Sequence, residues 1–209
     1  EDGHYSKHFL MAFSNELEFI ADTIIIGKDD VLCIPTVKRT PAQGTSAEDR
    51  WDSQLWTLDK DGKHLWHYSV EGYIPATPVL TEEGTLYFSC LRNPSQDEWK
   101  RWMTTAEVHA LNMKTGGFRW VTRVHNVEVL TGRLPIARHS FTAPVLGLDG
   151  TVYVGAAITE KVVHPASTTP PVHSCLIALR AHEPLATSAA WPIEDGNVCC
   201  SGISPLRPQ

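Results

Sequence analysis

The chain has 209 residues, of which 42% are hydrophobic and 20% are charged, a composition typical of one soluble folded domain with a sizeable core. Its formal net charge is −6, and no basic stripe interleaved with aromatic residues occurs, which argues against a nucleic-acid groove. The longest apolar stretches, such as 9–13 and 152–158, are far shorter than the about 20 residues that span a bilayer, so we expect no membrane span.

An internal repeat divides the chain. Residues 77–88 read TPVLTEEGTLYF and residues 143–154 read APVLGLDGTVYV, so Pro, Val, Leu, Gly, Thr and Tyr recur in register. A degenerate earlier copy covers residues 24–34, and the SPL run at 204–206 looks like the start of another. A repeat of this kind predicts one supersecondary unit per copy, with neighbouring units packed on one another.

Each copy is followed by a second recurring half that ends in a tryptophan. These halves cover residues 55–66, 108–120 and 176–191. Glycine-containing turns separate an apolar run from a β-branched or aromatic run, where a tight hairpin needs a positive φ. The turns lie at 61–62, 83–84, 114–117 and 149–150. Each unit therefore has two hairpins, which means four short antiparallel strands.

The second halves resemble the docking motif of the PQQ-like, or quinoprotein-type, β-propellers, which runs Ala-x-Asp-x-x-Thr-Gly-Lys-x-x-Trp. Residues 110–120 have the full length of this motif. They match it at Ala110, Thr115, Gly116 and Trp120. The first copy is one residue short and matches at Asp59, Gly62, Lys63 and Trp66. The third copy keeps Ala178 and Trp191.

The resemblance implies an all-β fold of about three four-stranded antiparallel propeller blades, in a single partial propeller domain over residues 1–209. The units would cover about 21–72, 73–140 and 141–200, and a further unit would start at 201–209. The family analogy also implies that each recurring tryptophan packs on a neighbouring blade. The implied blade-docking residues are Trp66, Trp120, Trp191, Gly62 and Gly116.

Four segments rich in Pro, Arg, Trp and His lack strand alternation, so we expect them to form long loops. They cover 36–52, 91–105, 122–140 and 156–174. Tryptophan and arginine are enriched in interface hot spots, which makes several of their residues candidate partner contacts. These candidates are Trp99, Arg101, Trp102, Arg133 and Arg138. The alternative for the two tryptophans is a small satellite core under the loop.

Features of metal and cofactor sites occur only as fragments. His4 and His8 have the spacing of two ligands on a helix, without a third nearby, and the DKDG run at 59–62 starts like a calcium loop without its later Glu. In PQQ-dependent alcohol dehydrogenases of the resembling family, a disulfide between two adjacent cysteines lies against the quinone. Cys199 and Cys200 are adjacent and could form such a disulfide. The other quinone and calcium ligands have no counterparts here, so we expect no metal, no cofactor and no catalytic residue.

These observations predict a non-enzymatic scaffold or protein-protein interaction subunit of a larger assembly. Propellers usually close with four to eight blades, so three units would leave two faces open, with apolar residues from 24–26 and 152–154. We expect a protein partner, a second copy or the inserted loops to cover them. The alternatives are a fragment of a PQQ- and calcium-dependent dehydrogenase, and a luminal ligand-binding or sensor domain. Family habit favours an extracytoplasmic or organelle-luminal location, whereas the residues themselves leave the compartment open.

Overall fold

The computed structural model of the chain describes residues 18–20, 24–41, 50–93, 95–96, 102–128, 141–159 and 172–181. These residues form thirteen β-strands and one short 3₁₀-helix, Lys28–Asp30. All of the strand pairs among them are antiparallel. The all-β class predicted from the repeats is confirmed. No helix in these ranges is long and apolar enough to cross a membrane.

The strands form three groups, here called the first, second and third meanders, in which each strand pairs with the next. The first meander consists of β2 (Ile25–Ile26), β3 (Leu32–Thr40), β4 (Arg50–Leu58) and β5 (His64–Tyr73). The second consists of β6 (Val79–Leu80), β7 (Thr85–Arg92), β9 (Trp102–Asn112) and β10 (Phe118–Glu128). The third consists of β11 (Val145–Leu146), β12 (Thr151–Thr159) and β13 (Val172–Arg180). Two short strands lie at edges, β1 (Glu18–Ile20) against β3 and β8 (Ser95–Gln96) against β9.

Tight turns close the hairpins at one end of each meander, here called the turn end. One glycine in each of the four predicted turns adopts a positive φ, which confirms the turns. Their φ values are 81° at Gly62, 80° at Gly84, 70° at Gly116 and 77° at Gly150. In the β4–β5 turn, Asp59 Oδ1 accepts hydrogen bonds from the backbone N–H groups of Asp61 and Lys63, both at 2.9 Å. The DKDG run is therefore a hairpin turn closed by its own carboxylate.

The opposite end of each meander, here called the loop end, carries the long connections. The strands extend further into these segments than the sequence predicted, so the loop boundaries expected at 36, 91, 122 and 156 are wrong. The strands end at Thr40, Arg92, Glu128 and Thr159. The β3–β4 ladder, for example, continues through Val37 opposite Ser53 to Thr40 opposite Arg50. Cross-strand pairing holds these residues in the sheet although their hydrophobicity does not alternate.

Two apolar clusters lie between the meanders. The cluster between the first and second includes Ile25, Cys33, Leu55, Val70, Leu86, Phe88 and Leu111. The cluster between the second and third includes Val79, Tyr87, Val108, Ala110, Phe141, Val152 and Val154, and it extends to Val37 and Trp51 of the first meander. Successive side chains of a strand point to opposite faces, so Phe88 enters the first cluster and Tyr87 the second. The second meander is therefore covered on both faces.

A close backbone approach also joins the first two meanders at their loop ends. Gly72 at the end of β5 pairs with Arg92 at the end of β7. A Cβ atom on Gly72 would lie 2.3 Å from the carbonyl oxygen of Leu91. Only glycine permits this approach, and it extends the hydrogen-bonded sheet from the first meander into the second.

Candidate functional site

The outer hairpins of the first and second meanders, β4–β5 and β9–β10, have the same pairing register. Trp56 pairs with His67 in the first, and His109 pairs with Val121 in the second. The inner hairpins match in the same way, because Val79 pairs with Tyr87 as Val145 pairs with Tyr153 in the third meander. Side chains at matched positions can therefore be compared from one meander to the next.

Trp66 makes the main contact between the first two meanders at their turn end. Its indole Nε1 donates a hydrogen bond to the backbone oxygen of Met113, at 3.0 Å. Its ring covers Gly116 so closely that a Cβ atom there would lie 2.6 Å from the ring atom Cδ2. The β9–β10 turn is therefore a platform for the tryptophan of the preceding meander. The blade-docking role of Trp66 and Gly116 stays a prediction.

The other sequence-predicted residues are distributed as follows. Trp120 packs against the cluster between the second and third meanders, with its ring centroid 5.5 Å from that of Tyr87. Gly62 lies in the β4–β5 turn, where its backbone N–H donates to the carbonyl oxygen of Asp59. Trp102 is the first residue of β9. The remaining candidates, Trp191, Trp99, Arg101, Arg133, Arg138, His4, His8, Cys199 and Cys200, lie outside the described residues.

A buried polar network that the sequence did not reveal crosses the same interface. Tyr68 Oη of the first meander lies 3.4 Å from His109 Nδ1 of the second, and His109 Nε2 lies 3.1 Å from Glu107 Oε2. A neutral imidazole that donates its Nε2–H to the carboxylate accepts the tyrosine hydroxyl at Nδ1. The ring of Phe88 stacks on His109 at a centroid distance of 4.8 Å. At the rim, the exposed Arg123 places its Nε 3.8 Å from Glu107 Oε1.

Burial shifts the pKa values of the histidine and the two cysteines at this interface. Desolvation lowers the pKa of His109, although its hydrogen bond and charge interaction with Glu107 act in the opposite direction. Burial raises the pKa of Cys33 to about 12, and it raises the pKa of Cys90 as well. Both thiols therefore stay protonated and are poor nucleophiles. Of these contacts, only that between Tyr68 and His109 crosses from the first meander to the second, because Glu107 and Arg123 lie on the second meander with His109.

Among the described residues, no cluster of three or more potential metal ligands accompanies this network. Within the part of the chain that the structure describes, no group of three or more His, Cys, Asp and Glu side chains is placed to hold a metal ion. The expected absence of a metal site stays a prediction.

The outward face of the third meander differs from the matched faces of the other two. Val79 of the second meander is 1% exposed, whereas Val145 at the same position of the third is 61% exposed. Val108 is fully buried, whereas Leu176 at the matched position of β13 is 71% exposed. We call Val145, Tyr153, Leu176 and Ala178 the outward face. Its apolar side chains are exposed, whereas the side chains at the matched positions of the second meander are buried.

Of the runs expected to supply exposed apolar residues, 24–26 and 152–154, three residues are fully buried, whereas Tyr153 lies on the outward face. Ile25, Val152 and Val154 all have zero exposure, because they point into the two clusters between meanders. The open face instead uses the opposite parity of β12 and β13, where Tyr153 pairs with Ala178 and Gly155 with Leu176. The run VYV at 152–154 could have shown this parity, because its middle residue must face away from its two neighbours.

The loop ends of the first two meanders are fastened by side chains. The amide of Asn93 accepts a hydrogen bond from the Trp51 backbone N–H at 2.9 Å and donates one to the Trp51 carbonyl oxygen at 2.8 Å. Glu71 Oε2 lies 4.0 Å from a guanidinium nitrogen of Arg50 and 3.8 Å from one of Arg92. These contacts give the long connections a fixed base.

The comparisons with known proteins add no assignment. No family model and no curated protein matches the sequence.

Proposed function

We propose that this chain is a scaffold subunit built on PQQ-like propeller blades, and that its third meander binds another protein through the outward face. The observation that carries the proposal is the contrast between Val79 and Val145, which occupy the same position and are 1% and 61% exposed. The face that the second meander buries against the third is open on the third. The function proposed is binding, without a catalytic step.

The stacking of the meanders supports the propeller interpretation. Consecutive antiparallel meanders, packed face to face with short strands at one edge, are the layout of neighbouring propeller blades. The Trp66 ring on Gly116 joins one meander to the turn of the next, as the docking motif implies. Each meander thus buries its neighbour's apolar face, and a face without a neighbour needs an equivalent cover.

The chemistry of the outward face indicates what covers it. Val145, Leu176 and Ala178 offer apolar contact at three adjacent strand positions, and the half-buried Tyr153 lies between them. On the second meander, the matched residues pack against the β-branched side chains of the following meander. The proposed occupant is therefore a further antiparallel meander with a β-branched apolar face, supplied by a partner chain or a second copy.

The test replaces two residues of this face. In Val145→Asp/Leu176→Asp, two carboxylates would be desolvated by any covering sheet, which costs several kcal/mol per interface. Analytical ultracentrifugation over a concentration series should show a larger particle for the wild type, either a dimer or a stoichiometric complex, and a monomer for the double variant. Far-UV circular dichroism should be the same for both.

A matched control separates docking from general solubility. Leu148 is 97% exposed but lies in the β11–β12 turn, off the outward face. Leu148→Asp should therefore leave the larger particle intact. A wild-type protein that sediments as a monodisperse monomer at every concentration, unchanged by the double variant, would rule out the proposal.

A further inference from the structure

A second feature lies on the first meander, independent of the outward face of the third. His64 and His67 are three residues apart on β5, a spacing that puts side chains on opposite faces of a regular strand. The pairing register shifts between Thr57 and Leu58, so that Leu65 is the extra residue of a β-bulge. A bulge re-aims the side chains that follow it. The two imidazoles consequently come together, with ring centroids 5.5 Å apart.

This separation fits a shared metal ion. With metal–nitrogen bonds of about 2.0–2.1 Å, two imidazoles on one tetrahedral ion have ring centroids about 5 Å apart. Both histidines are exposed to solvent, so water can complete the coordination sphere. Imidazole ligands suit Cu²⁺, Ni²⁺ and Zn²⁺, and affinity for a given nitrogen site is greatest for Cu²⁺.

Trp56 on the neighbouring strand β4 completes the cluster. Its ring stacks on His67 at a centroid distance of 4.9 Å and meets His64 edge-on at 5.3 Å.

We propose that His64 and His67 form a two-histidine surface site for a divalent transition-metal ion of the Cu²⁺, Ni²⁺ and Zn²⁺ class, with Trp56 stacked against one ligand. The site differs from the metal-binding patterns weighed in the sequence, which were the histidine pair near the N-terminus and the 59–62 run. It depends on the bulge, which the sequence spacing does not show.

The test uses Cu²⁺ as the probe. Because the chain has 10 histidines, the readout is a difference between variants. By calorimetric titration, the wild type should bind one more Cu²⁺ equivalent than His64→Gln/His67→Gln, and each single variant should bind that equivalent at least tenfold more weakly. Electron paramagnetic resonance of the added equivalent should show coupling to imidazole nitrogen, which the double variant loses.

Trp56 supplies a local reporter. Bound Cu²⁺ should quench its fluorescence through the stacked imidazole, so Trp56→Phe should keep the Cu²⁺ equivalent and lose that part of the quenching. Lys63→Gln, at an exposed neighbour without a ligand atom in the cluster, should behave as the wild type. The thermal midpoints of the variants at His64, His67, Trp56 and Lys63 check that each variant is folded. Equal Cu²⁺ stoichiometry and equal quenching in the wild type and the folded double variant would overturn the proposal.

Discussion

The first and second meanders have the same hairpin geometry but carry different side chains at matched positions. At the matched position of the third strand, the first meander has Trp56 and the second has His109. His109 is buried beneath Tyr68 of the preceding meander and bonded to Glu107, whereas Trp56 stacks on the exposed His67 of its own hairpin. The backbone repeats, and the neighbour that covers each position decides which side chain fits.

The comparison also shows that the junction between meanders depends on two kinds of contact. At the turn end, the ring of Trp66 lies on Gly116, where no side chain has room. Nearer the middle, Tyr68 reaches the buried His109. The first contact is set by shape and the second by hydrogen bonding, and they can be disrupted separately.

The largest effect is expected from the shape contact. Gly116→Ala places a Cβ atom 2.6 Å from the Trp66 ring at a φ of 70°, and should destabilise the protein by about 3 kcal/mol or more, from a strained backbone and an overpacked contact together. Gly84→Ala is the matched control, because its φ is 80° and nothing lies within 4 Å of the added atom. It should cost only about 1–2 kcal/mol. Urea unfolding measures both.

The same pair of variants can be taken one step further. In a Trp66→Ala background, the clash at Gly116 disappears and only its backbone strain remains. The difference between Gly116→Ala and Gly84→Ala should then shrink to within the error of the measurement. An unchanged difference would mean that the ring of Trp66 is not what limits the side chain at this turn.

A smaller effect is expected from the hydrogen-bonded contact, and it depends on pH. Burial lowers the pKa of His109 in the folded state, while the unfolded chain titrates near about 6.5. The stability that this residue supports is therefore complete above about pH 6.5 and is lost as the pH falls towards the lowered folded pKa, with a slope of at most about 1.4 kcal/mol per pH unit. Glu107, Tyr68 and Arg92 are the ionisable groups that act on it.

The variant His109→Gln isolates this contribution, because glutamine keeps a donor and an acceptor without titrating in this range. Urea midpoints measured between pH 5 and 8, a range set by the histidine titration at about 6.5, should fall less steeply with acid in the variant than in the wild type. Parallel pH profiles would show that His109 does not couple protonation to the junction.

The variant with the smallest expected effect on stability tests whether the β-bulge alone is enough to bring two histidines together, as it does on the first meander. The second meander has a matched irregularity between Phe118 and Trp120, and Phe118 and Val121 are exposed at the positions of His64 and His67. Phe118→His/Val121→His should change the stability by no more than about 0.5 kcal/mol and add one Cu²⁺ equivalent. If the fully folded variant gains no Cu²⁺ site, the equivalence of the two hairpins is limited to the backbone.

Local features of the fold could be predicted from the sequence. The turn glycines were identified because a positive φ is a property of one residue and its neighbours, and all four adopt it. The ends of β3 and β12 could not be found in this way, because the residues there are held in the sheet by partners on another strand. Strand pairing across a long connection leaves little trace in local periodicity.

The candidate sites were less accessible to sequence analysis for the same reason. Tyr68 and His109 are 41 residues apart in the chain and meet only because one meander packs on the next. The wrong assignment of Val152 and Val154 to an open face arose because the repeat gives the alternation of a strand but not which of its two faces a neighbour covers. The histidine pair on β5 depends on a bulge, and its spacing alone predicts separation.

The two ends of each meander impose different rules on how such a chain can change through evolution. At the turn end, inserting one residue would slip the register of the strand that follows the turn and exchange its two faces. At the loop end, doubling the length of a connection costs only about 0.6 kcal/mol of closure entropy, and Asn93 and Glu71 already fasten the strands beneath. Insertions and deletions can therefore accumulate at one end of the molecule while the other keeps a constant length, so that relatives of this chain could diverge in their loops and still retain the same arrangement of strands.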